Sequence, residues 1–130
     1  MLRWNLDTEF SIAEFTPRAC DCDFCTRHRA AWISDPKGAL TLRVLKADVL
    51  QRYRQGSGQA EFLICRDCGV LVAVASQDTH GNLLGAVNRN AFDHREAFPA
   101  EAIVSPQRLS AEQKLARWSE VWTPMLMQVS

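Results

Sequence analysis

The reading turns on Cys20-Asp21-Cys22-Asp23-Phe24-Cys25 and on Cys65-Arg66-Asp67-Cys68-Gly69, two clusters separated by 39 residues that hold no cysteine. These are all 5 cysteines of the chain. Small secreted domains use an even number of cysteines, spaced more regularly, to build a disulfide framework. Thiols two and three residues apart read instead as a metal or redox site in a reducing, cytoplasmic compartment. A lone free cysteine is commonly just a small buried hydrophobe, a description that fits two tight clusters poorly.

Cys65 and Cys68 have the spacing of a zinc knuckle. Two thiolates two residues apart converge on one ion when the backbone turns tightly, and Gly69 tolerates the positive φ such a turn needs. Phe62 to Ile64 and Val70 to Val74 read as strands, which makes the knuckle a hairpin tip. A thioredoxin-like pair would open a helix instead. In the first cluster, Cys20 and Cys22 share one side of an extended segment, and a turn at Asp23-Phe24 brings Cys25 to the same ion. Zinc takes four ligands, so three thiolates leave one position for water, a substrate thiol, or one of His28, His80 and His94. A structural zinc contributes about 10–16 kcal/mol in peptide systems. That is comparable with the whole stability expected of this chain, about 6–20 kcal/mol, so metal would be part of the fold.

Outward from the clusters the pattern is mainly β. Trp4-Asn5-Leu6, Phe10-Ser11-Ile12, Ala30 to Ile33, Leu40-Leu42-Val44 and Leu83 to Val87 read as strands, and Asp78 to Asn82 as a turn. Ala47 to Leu50 reads as a single helical turn. One helix is expected, over about 110–123. Ser110-Ala111-Glu112-Gln113 forms its capping box, Leu115, Trp118, Val121 and Trp122 its apolar stripe, and Pro124 its stop. The stripe is read as a packing surface over the sheet or against a second copy in a homodimer. The 130 residues are expected to form one domain, 1–130.

Composition narrows the partners. Lys plus Arg and Asp plus Glu each number 15, for a net charge of +0, so neither nucleic acid nor an anionic membrane has its electrostatic driving force. The longest apolar run, Val70 to Ala75, is far short of the ~20 residues of a membrane helix. Met1 to Asn5 has no apolar stretch behind it, so no secretory signal is expected there.

The cysteine motifs, with Tyr53-Arg54, Gly56-Ser57-Gly58 and Ala86-Val87-Asn88, resemble the glutathione-dependent formaldehyde-activating enzyme family, also called the centromere-protein-V/GFA domain. The resemblance spans about residues 1–98. It implies small antiparallel sheets in a zinc-stabilised β-tent, with a catalytic zinc on Cys20, Cys22 and Cys25. It implies a structural zinc on Cys65, Cys68 and an earlier CxC pair, which this sequence lacks. On that basis, either the pair lies upstream of Met1, or Cys65 and Cys68 recruit thiols from the first cluster into one closed four-thiolate site. The implied activity is that of a carbon–sulfur lyase joining glutathione, or another small thiol, to formaldehyde. Cys22 would contact the bound thiol, and Arg27, Arg29 and Arg54 would pair with its carboxylates. The reading from another class is a non-catalytic, zinc-stabilised module that binds a thiol or a protein.

Overall fold

A computed structural model describes residues 2–129. In chain order it contains β1 (Leu2–Asp7), β2 (Arg18–Cys20), α1 (Asp23–His28), β3 (Ala31–Ile33), β4 (Ala39–Val44) and β5 (Leu50–Arg54). These are followed by β6 (Glu61–Cys65), β7 (Leu71–Gln77), β8 (Leu83–Asn88), β9 (Ala102–Val104), α2 (Ala111–Val121) and β10 (Thr123–Val129). Mainly β with a C-terminal helix is therefore correct, but the expected small antiparallel sheets are one ten-stranded mixed sheet. Two pairings are parallel, β10 with β4 and β2 with β9. Each joins strands about 80 residues apart, which no local pattern could announce.

Strand β8 is the hub. β7 runs along one edge, while β3 and β10 lie end to end along the other. Gly85 sits where β7 and β10 both close on β8: a Cβ there would lie 2.8 Å from the Val74 carbonyl oxygen and 2.7 Å from Met125 Sδ. Only glycine permits that approach. β10 pairs antiparallel with β8 through Thr123 and Pro124, then parallel with β4 from Met125 onward. The helix thus stops short of Pro124 as expected, and Pro124 itself lies in a strand the sequence did not announce.

Alternation sorts the core into two clusters. β6 turns Phe62 into one, with Cys25, Trp32, Val74 and Trp122, and turns Leu63 and Cys65 into the other, with Leu42, Val44, Val72 and Ala73. The stripe of α2 packs on the first, with Trp118 and Trp122 stacked at 4.5 Å between centroids. The Ser110 capping box forms as expected. Phe10-Ser11-Ile12, expected as a strand, instead enters a 3-10 turn at Ile12–Glu14, because the Glu14 carboxylate captures the Ser11 backbone N–H. Ala47–Val49 makes the single helical turn that was expected.

Candidate metal centre

The extended segment and turn expected at Cys20 to Cys25 are a strand, a cap and a helix. Cys20 ends β2, and the pairing with β9 is prolonged by the Asp21 N–H donating to the Val104 carbonyl at 3.0 Å. Cys22 is the N-cap of α1, its Sγ accepting the Cys25 N–H at 3.4 Å. Cys25 follows in the first turn and is buried, while Cys20 and Cys22 are half-buried. The helix fold-back replaces the turn at Asp23-Phe24 but achieves the same convergence. The three Sγ atoms lie within 4.8 Å of one another, so the group can hold a metal ion.

The donor chemistry fits a thiophilic ion. Zn–S bonds of about 2.3 Å in a tetrahedron put sulfurs about 3.8 Å apart, a contraction of at most about 1 Å here. Without metal, the Cys25 S–H donates to Cys20 and draws its pKa down to about 6, making Cys20 the standing thiolate. Cys25 is pushed far up by that same hydrogen bond and by burial. Burial raises Cys22. Loading a metal on all three sulfurs therefore releases protons from Cys22 and Cys25.

The knuckle is built separately. Cys65 ends β6 in the second core cluster, Cys68 is exposed, and Gly69 at φ 75° closes the turn through its N–H on the Cys65 carbonyl at 2.7 Å. Tight turn and hairpin tip are as the sequence indicated. The two clusters are not brought together: among the described residues, Cys20, Cys22 and Cys25 form the one close group of three or more metal donors. A shared four-thiolate site does not form, because β6 directs Cys65 to the face opposite Phe62 and Cys25. None of His28, His80 and His94 joins the triad. His28 packs on Phe24 at 4.6 Å, His80 lies in the exposed turn after β7, and His94 precedes a short 3-10 turn.

A cavity of about 210 Å³ opens on Cys20 and Cys25. Of the three arginines singled out from sequence, only Arg29 lines it. Arg27 is paired with Asp23 on the exposed face of α1, and Arg54 with Glu61 on β6. Arg29 is the C-cap of α1 in the left-handed conformation, φ 51° and ψ 37°. That is costly for a residue with a Cβ. The cost is offset by its carbonyl, which accepts from Asn90 Nδ2 at 2.9 Å and from an Arg89 guanidinium N–H at 3.3 Å.

Sequence reasoning missed Thr26, Asp21 and Glu101 on the cavity wall. Asp21 accepts the Ser105 hydroxyl proton at 2.5 Å and a Gln107 amide proton at 3.1 Å, and Glu101 pairs with Arg89 at 2.6 Å. Glu101, Ser105 and Gln107 arrive through the parallel docking of β9 on β2, so no local signal could have found them. In comparisons with known proteins, no family model, no curated protein and no solved structure matches this chain.

Proposed function

We propose that the chain is a zinc-dependent thiol-binding protein of the carbon–sulfur lyase type, joining glutathione or another small thiol to a small aldehyde such as formaldehyde. One observation carries the reading: three converging thiols, with no fourth protein donor joining them among the described residues, of which Cys20 and Cys25 border a cavity. An incomplete donor set is what separates a catalytic from a closed structural zinc.

Bound zinc would supply a lowered thiol pKa and hold the substrate sulfur as thiolate. The chain's own residues do the rest. Cys20, Cys22 and Cys25 hold the ion, and Arg29, alone of the three arginines, stands on the cavity wall where a substrate carboxylate would lie. The thiolate sulfur forms a C–S bond to the carbonyl carbon. The carbonyl π pair moves to oxygen, which takes up the proton the thiol gave up. Cys22, expected to touch the thiol directly, is better placed as a ligand, since it does not line the cavity.

The second reading, a non-catalytic zinc-stabilised thiol-binding or protein-interaction module, is favoured by how readily thiols add to formaldehyde unaided. Calorimetric titration of the zinc-loaded protein with glutathione comes first, and no heat at millimolar thiol would remove the lyase and thiol-carrier readings together. If glutathione binds, NMR exchange spectroscopy with formaldehyde decides between them. A rate above the uncatalysed one supports the lyase, and an equal rate leaves the carrier.

A further inference from the structure

A second cavity lies away from the cysteines, on the outer face of β1 and β4. It measures about 340 Å³ and is lined by Arg3, Trp4, Asn5, Thr41 and Arg43. The register sets Arg3 directly opposite Arg43, and Asn5 directly opposite Thr41. Residues facing each other across an antiparallel pair have Cα atoms about 4.5–5.5 Å apart, and like charges in that position repel. The Trp4 ring belongs to the other face, where it meets Phe92 at 4.5 Å.

Among the described residues the two arginines of this face have no ion-pair partner: no carboxylate lies within ion-pair distance of Arg3 or Arg43. The next acid on the same face of β1 is Asp7, four residues and ~13 Å along the strand from Arg3. On the other side of Arg43 the register places the neutral Gln128 of β10. Two guanidinium forks, an amide and a hydroxyl thus surround one concavity with no acid among the described residues of its lining. A chain of zero net charge has gathered two positive charges where they destabilise each other, and an oxyanion between them would turn that repulsion into charge-assisted hydrogen bonds.

We propose that Arg3 and Arg43, with Asn5 and Thr41, form a binding site for a phosphate group, either free or carried on a small phosphate ester. The cavity is larger than a phosphate alone requires, which leaves room for the organic part of an ester. The site is independent of the cysteine triad and of any reading of its chemistry.

The test is thermal unfolding against inorganic phosphate and, in a second arm, ribose 5-phosphate, with sodium chloride holding ionic strength constant. Phosphate strengthens folding of any protein non-saturably by exclusion from its surface, so the diagnostic is a saturable rise in Tm. Arg43→Gln and Arg3→Gln are both exposed changes on a sheet face. Each is expected to weaken the apparent affinity about tenfold or more, and to raise Tm slightly in phosphate-free buffer by removing the repulsion. Tighter binding of the ester assigns the site to esters, and equal or weaker binding assigns it to free phosphate. No saturable rise in the unsubstituted protein with either probe, or an equal saturable rise in both variants, would overturn the proposal.

Discussion

Asn88 ties the site to the sheet, and removing its side chain gives the most direct test of the architecture. It is 2% exposed at the end of β8. Its Oδ1 accepts the N–H of Ala31 at 3.3 Å and of Asn90 at 3.3 Å, and its Nδ2 donates to the Leu71 carbonyl at 2.9 Å. One amide thus joins β8 to the starts of β3 and β7, and holds the turn whose next residues grip the Arg29 carbonyl. Asn88→Ala leaves the Ala31 N–H and the Leu71 carbonyl buried without these partners, at about 1–3 kcal/mol each. The Asn90 N–H is only partly buried, so water can replace that bond. The expected loss is about 3 kcal/mol, a large share of a stability of about 6–20 kcal/mol. For an m-value near 2 kcal/mol/M in urea, the unfolding midpoint falls by about 1.5 M. The assay is equilibrium urea unfolding followed by tryptophan fluorescence, with exposed Arg108→Ala as the reference substitution. A midpoint shift below about 0.25 M, equivalent to ~0.5 kcal/mol, would refute the assignment of Asn88 as the three-strand tie.

Two further outcomes follow from the triad. Protein purified without added zinc is expected to carry one zinc per chain by elemental analysis; Cys25→Ser should lose it, while Cys68→Ser keeps it. Equal loss in both variants would contradict the separation of the two clusters. In chelator-treated protein, alkylation of Cys20 by iodoacetamide should rise with pH through about 6. The Cys25 thiol stabilises the Cys20 thiolate by donating to it, so Cys25→Ala must move that midpoint upward; an unchanged profile would show that no such hydrogen bond exists.

Much of the centre could be read locally because its parts are local. Cys20, Cys22 and Cys25 lie within six residues, so any tight fold-back brings their sulfurs together, and the helix that replaces the expected turn changes the route rather than the result. The knuckle was equally readable, since Gly69 can take the positive φ its turn demands. The alternation of Leu40, Leu42 and Val44, and the capping box at Ser110, are likewise written in neighbouring residues.

What could not be read is where those local pieces face. A single step along β6, from Phe62 to Leu63, changes core, so that Cys65 lies in a different cluster from Cys25, and this removes the shared four-thiolate site that spacing alone left open. The cavity beside the triad exists because β9 docks parallel to β2, carrying Glu101 and Ile103 to residues about 80 positions earlier in the chain. The Arg3–Arg43 pair depends on the register of β1 against β4, which a one-residue slip would abolish. Sequence by itself determined that Cys20, Cys22 and Cys25 converge and that a tight turn joins Cys65 to Gly69, because bond geometry over a few residues sets such contacts. Only tertiary structure decided which donors meet, because strand pairing across long separations is governed by the packing of the whole sheet.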